Sequence, residues 1–223
     1  SGRADNGWTA HGVLGPMTRS SMDAALVMAA MSGADPYAPM SIAEDPAQFL
    51  DVSPTSPAGV RIGWSADAGG VPIADDVART HAQARGALVA AGYDVVDLDL
   101  APSLERAEEA WETIEMFNFF GSCRDDVAKY PELLRPDLVR NVRQGEALTA
   151  AQLADALRIR TDVFRRWERL FDDVDLVITP ATPVVAPPAE VGWVDRVGHV
   201  TYDPYFRWQM LANRLTVTAH PVL

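Results

Sequence analysis

Val60-Arg61-Ile62-Gly63-Trp64 and Tyr93-Asp94-Val95-Val96-Asp97-Leu98-Asp99-Leu100 frame the stretch from which the fold is read. The first is a short strand-like run. The second alternates apolar with polar, as a strand with one covered face does. Between them, Asp67-Ala68-Gly69-Gly70 has the composition of a turn. From about Asp75 to Ala91 the residues Val77, His81, Ala84 and Leu88 recur at helical spacing, and Gly92 stands where a helix-ending glycine belongs. Strand, helix and strand within about forty residues make a βαβ unit, whose strands normally run parallel.

Toward higher numbers, Pro102 is expected to open a helix carrying Leu104, Ala107, Trp111, Ile114 and Phe117. Shorter helical pieces follow around Pro131 and Pro136. Thr149 with Gln152 forms a capping-box pattern ahead of a stripe of Leu153, Leu157, Phe164, Trp167 and Phe171. Asp175-Leu176-Val177-Ile178-Thr179 reads as a buried strand running into a proline-rich loop. Residues 202–211 read as a helix, and the last segment as strand or loop. Toward lower numbers, residues 1–19 are loop, broken by Gly2, Gly7, Gly12, Gly15 and Pro16. Ser20 with Asp23 caps a helix that Gly33 ends, and Arg19 with Asp23 is a plausible structural ion pair across its start. Five prolines (Pro36, Pro39, Pro46, Pro54 and Pro57) then keep the connection from being helical throughout. The expected fold is α/β, a mixed sheet flanked by helices. Residues 1–58 form a loop, helix and connection, and residues 59–223 the α/β body.

Composition narrows the function classes. The 223 residues carry 19 basic and 31 acidic side chains, a net charge of −12, and are 48% hydrophobic. That is enough apolar content for a core. The charge disfavours nucleic acid and anionic lipid as partners, and no apolar run approaches the ~18–20 residues of a spanning helix. One cysteine, Cys123, excludes an intrachain disulfide and a multi-cysteine zinc site, which suits a cytoplasmic protein. Ser1 in place of methionine and the apolar stop at Val222-Leu223 lead us to expect a truncated chain.

The residues alone assemble no active site. Gly-x-Ser-x-Gly is absent, and His11, His81, His199 and His220 match no metal spacing. His81 reads as a packed core histidine and His220 as structural. Cys123 reads as an inert buried thiol, although Arg124 beside it can lower a thiol pKa. A small hydrolase using Cys123 with a histidine is the least favoured reading. The Asp67–Gly70 turn stands where phosphates bind in many α/β folds but fits neither glycine-rich fingerprint. It therefore reads as an ordinary βα turn. Lys129, the only lysine, lies in a polar helical stretch and reads as exposed. No metal or cofactor is expected.

Several segments in order resemble the amidase signature family of serine amide hydrolases. Gly15-Pro16-Met17-Thr18-Arg19, then Asp23-Ala24-Ala25, is similar to that family's Gly-Pro-Met-x-Arg segment and following helix. Gly33-Ala34-Asp35-Pro36, Arg61-Ile62-Gly63-Trp64-Ser65 with Gly69-Gly70, and Asp173-Val174-Asp175-Leu176-Val177-Ile178-Thr179-Pro180-Ala181-Thr182-Pro183 continue the likeness. Asn213 and His220-Pro221-Val222-Leu223 resemble its closing asparagine and proline segment, short of a final Val-Pro-x-Gly strand. Even Ser1-Gly2-Arg3 fits the interior of that family, which implies an α/β amidase fold incomplete at both ends.

The resemblance implies hydrolysis of a carboxylic amide by a lysine base, a cis-linked serine and a nucleophilic serine in a Gly/Ser-rich signature. All three precede the matched portion, and no Gly-Gly-Ser-Ser-Gly-Gly-like run occurs here. No catalytic residue is therefore carried over, and the chain alone is expected to be inactive. Met17, Phe117, Phe120, Thr182 and Asn213 are the candidates for lining or supporting the pocket of a small-molecule amide. Association through an apolar face left bare by a missing half is also expected. The alternative is a non-catalytic α/β binding module that keeps the fold remnant.

Overall fold

The computed structural model describes residues 7–8, 11–12, 14–52 and 56–223. Gly2, Pro54 and Ser1-Gly2-Arg3, used above, lie outside the described residues. Strands β1 (Arg61–Trp64), β2 (Asp94–Asp97) and β3 (Leu176–Ile178) form one sheet in the order β2-β1-β3, parallel at both pairings. Helix α2 (Asp75–Ala90) is the βαβ crossover, and Gly92 takes φ +95 where it ends. The antiparallel pairing lies apart, in a hairpin of β4 (Arg196–Val197) and β5 (Val200–Thr201). Gly198, at φ +59 between them, was the available sequence signal for that turn.

The centre of β1 is covered on both faces. Ile62 and Trp64 are buried, and a Cβ on Gly63 would lie 2.2 Å from Leu98 Cδ1. Helix α3 (Ala107–Lys129) organises the main core, with Leu100, Leu104, Ala107, Ala110, Trp111 and Met116 meeting Ile159, Val163 and Trp167 of α5 (Ala150–Glu168). Between these helices in sequence comes α4 (Pro136–Glu146). Gly145 of α4 is where it approaches α3 most closely, because a Cβ there would fall 2.0 Å from the Met116 carbonyl oxygen. Phe206, just before the 3-10 turn Arg207–Gln209, and Met210, at the start of the last helix α6 (Met210–Thr216), close the same core.

Four local expectations change. Helix α3 begins at Ala107, not at Pro102, because Arg106 takes the left-handed φ of 62 and breaks continuity with the turns before it. Strand β3 is not buried: Leu176 is 51% exposed at an edge where no further strand pairs among the described residues. The aromatic segment expected as helix over 202–211 holds an X-Pro cis bond at Asp203-Pro204 and a 3-10 turn at Arg207–Gln209 before α6 starts. Leu215 and Thr216, read as strand-like, belong to that helix. The capping predictions match: Ser20 Oγ accepts from the Asp23 amide, and Thr149 with Gln152 makes the full reciprocal box.

Helix α1 (Ser21–Met31) is apolar around most of its circumference, yet only Ala24 is buried. It packs on the 3-10 turn Pro46–Leu50 and leaves Met22, Leu26 and Met31 more than half exposed. A helix apolar all round is normally an interior helix.

Candidate functional site

The βα turn after β1 is closed to phosphate by its own side chains. Asp67 Oδ1 accepts from the Gly69 and Gly70 amides at 3.0 and 2.9 Å, which occupies the donors an anion needs. Arg214 of α6 donates through Nη1 to the Ala68 and Gly69 carbonyls at 2.8 and 3.0 Å and pairs with Glu108 on α3. The ordinary-turn reading therefore stands, with a structural role for Arg214 that sequence spacing does not reveal.

At the start of α1, residues 16–21, Asp23, Ala24 and Leu223 line an open groove of about 900 Å³. Met17 lies in it fully exposed, and Thr18 Oγ1 donates to the Ser20 carbonyl at 2.9 Å. The other four candidates sit elsewhere. Phe117 and Phe120 are half-buried on α3, with the Arg124 guanidinium 5.4 Å from the Phe120 ring centre. Thr182 is exposed, its hydroxyl donating to the Val184 carbonyl. Asn213 is buried on α6, its amide nitrogen without a hydrogen-bond partner among the described residues. Among the described residues no hydrogen bond or ring contact unites these five.

A second polar cluster escaped the sequence reading. His11 is 2% exposed, its Nε2 3.9 Å from Glu115 Oε2 on α3, with the Trp111 ring alongside. Burial first and the Arg160 charge second lower the His11 pKa from 6.5 to about 4. Burial also raises the Glu115 carboxyl, against a hydrogen bond from Asn118. Both groups are thus driven toward their neutral forms. His81 stacks on Trp64 at 3.9 Å and donates from Nε2 to the Ser65 carbonyl, with its pKa lowered chiefly by burial. Lys129 is exposed at the end of α3 and lies over the Tyr130 ring, an unsuitable setting for a buried base. Among the described residues no group of three or more metal-binding side chains occurs.

The amidase family matches residues 7–220. The chain belongs to the amidase family. An amidase of Pseudomonas putida is 26% identical over 221 residues, covering 94% of this chain and 45% of that protein. An acylamidase of Rhodococcus erythropolis is 25% identical over 182 residues, covering 78% and 36%. The crystal structure of a bacterial aryl acylamidase of the amidase signature enzymes superposes with TM-score 0.72 at 21% identity. It covers 93% of this chain and 44% of the other, and so shares the fold. This amidase-family chain spans less than half of the length of these relatives.

Proposed function

We propose that the chain is the carboxyl-terminal part of an enzyme hydrolysing a carboxylic amide C–N bond to acid and amine or ammonia. The observation that carries this reading is the family match across residues 7–220. Its single lysine is exposed and its sequence holds no Gly/Ser-rich run, so the residues in hand supply pocket walls and not the nucleophile. Met17 in the groove at α1, Phe117 and Phe120 on α3, Thr182 and Asn213 are the residues we assign to lining or supporting that pocket. The amino-terminal portion of an amidase, bearing the lysine and the serines, is the partner we assign to the bare faces of α1 and β3.

The test is an amidase assay on aryl and alkyl amides. Residues 1–223 alone are expected to give no turnover, and turnover is expected on co-expression with an amino-terminal amidase segment carrying the lysine and Gly/Ser-rich signature. Turnover by the chain alone that survives repurification and disappears on Cys123→Ala would overturn the reading in favour of thiol chemistry. Tight assembly with no turnover would leave the non-catalytic binding module.

A further inference from the structure

The order β2-β1-β3, parallel throughout, sends the chain from β1 to β2 on one side and back to β3 on the other. In open α/β sheets a crevice forms outside the carboxyl ends of strands arranged in this way. Two segments leave those ends here: residues 65–74 after β1, and the proline-rich stretch from Thr179 after β3. The first holds an unusual backbone. Ala68, Gly69 and Gly70 take φ of 51, 81 and 93 in succession, and Ala68 does so with a Cβ, at a steric cost. Such a turn persists only where its surroundings hold it. Asp67 Oδ1 takes the Gly69 and Gly70 amides, and Ala68 and Val71 pack against Leu211 of α6, with Leu215 alongside. Arg214 Nη1 donates to the Ala68 and Gly69 carbonyls. Leu211, Arg214 and Leu215 stand at i, i+3 and i+4 and so share one helix face. The hold extends to the second segment. The Ala74 amide donates to the carbonyl of buried Pro183 at 2.9 Å, and the Thr182 hydroxyl, bonded to the Val184 carbonyl, closes the chain around that proline.

We infer that Arg214 is a positioning residue of the pocket, whose planar fork sets Thr182, on the segment after β3, relative to Asn213, its own neighbour on α6. The link runs through the backbone: from the guanidinium to the Ala68 and Gly69 carbonyls, along the chain to Ala74, and from Ala74 to Pro183. Both carbonyls lie more than one hundred residues from Arg214, so the fork ties α6 to a segment that is not its own. The other arm, Nη2, pairs with Glu108 near the start of α3, the helix that carries Phe117 and Phe120, and leaves the Arg214 side chain 14% exposed. Two carbonyls converge on one nitrogen while Ala68 and Gly69 keep their left-handed turn. Without the fork those carbonyls lose their donor, and the turn has less strained alternatives that would carry Ala74 away from Pro183. That Thr182 and Asn213 line a pocket rests on the amide-hydrolase reading; the coupling of their segments through Arg214 does not.

The experiment is amide hydrogen exchange on the full 223-residue chain labelled with 15N. It is read at Val71 and Ala74, whose amides donate to the Asp67 and Pro183 carbonyls, with Val163 inside α5 as the reference. Arg214→Met keeps the length of the side chain and removes the fork. It is expected to quicken Val71 and Ala74 about tenfold relative to Val163, the effect of about one hydrogen bond. The Thr182 backbone amide and the Asn213 side-chain amide should shift in the same variant. Arg214→Lys keeps the charge that faces Glu108 but not the fork, and should still quicken Ala74 severalfold in a folded chain. Glu108→Gln removes the ion pair, leaves both carbonyl contacts, and should leave Ala74 protected. Protection of Ala74 in both Arg214 variants overturns the proposal. So does equal quickening at Val163, which would make Arg214 a contributor to overall stability alone, and so does a Glu108→Gln variant that reproduces the loss. The turnover assay is separate from all of these readings, so failure of the coupling and failure of the amide-hydrolase reading are told apart.

Discussion

His11 shows how one buried side chain couples folding to acidity. The unfolded chain binds a proton at this imidazole near pH 6.5, whereas the folded chain binds it only near 4. The neutral ring therefore contributes its full share of stability above pH 6.5, and loses it as pH falls through that window toward 4. The size is about 3 kcal/mol by the usual conversion of a pKa difference. Glu115 runs the other way: its raised carboxyl favours the fold in acid and gives that up as pH rises through its ordinary range. We expect urea unfolding between pH 7 and 4 to show a falling midpoint that His11→Phe flattens. A slope equal in both proteins would remove His11 as its source. Gly145 is a residue of a different kind, chosen by contact. Its missing Cβ lets α4 rest on the Met116 carbonyl. Gly145→Ala should force the helices apart and cost about 2 kcal/mol or more, read as a lower urea midpoint at unchanged slope.

At the scale of elements, the legible parts are those whose signals are local. The Thr149/Gln152 box, the Ser20 cap and Gly92 all declare themselves within four residues, and each lies where the pattern put it. Thr149→Ala should lower stability by about 1 kcal/mol, with Gln152→Ala adding little once the hydroxyl is gone. A thermal melt of the single and double variants checks both statements. What was illegible depends on distant chain. Pro102 looks like a helix opener, but Arg106 is held left-handed and the neighbouring Glu105 carbonyl accepts from Arg166 of α5, sixty-one residues away. Leu176 reads as interior because Leu-Val-Ile is apolar throughout, and nothing in three residues says whether a further strand will lie beside it. The candidate pocket residues were illegible for the same reason. Met17 and Asn213 stand out only by resemblance, and sequence order says nothing of the groove at α1 that holds one or the α6 interior that holds the other. The His11–Glu115 pair, one hundred and four positions apart, had no local sign at all.

For the molecule as a whole, the notable quantity is apolar surface without cover. Leu14, Met17, Leu26 and Leu176 are each more than half exposed, and among the described residues β3 ends its sheet as an edge with no further strand. Monomeric proteins seldom leave so much apolar surface open. Purified alone, the chain is expected to bind a hydrophobic dye and to self-associate, with both signals falling severalfold in a Met17→Glu, Leu26→Glu double variant. Sedimentation as a clean monomer with no dye signal would contradict this. Among the described residues no helix is long and apolar enough to cross a membrane.

The guanidinium of Arg214 closes a circuit 146 residues long when it reaches the Ala68 carbonyl. A ribosome delivers these two groups far apart in time. Ile62 must likewise wait for Leu176 before β1 has its second neighbour. During synthesis the early βαβ unit is therefore an unfinished sheet whose key fastening has not yet been translated. Contacts this distant in sequence form late and slowly. In that interval the newborn chain presents an unpaired sheet edge and apolar surface, the kind of surface that makes incompletely folded chains prone to aggregate.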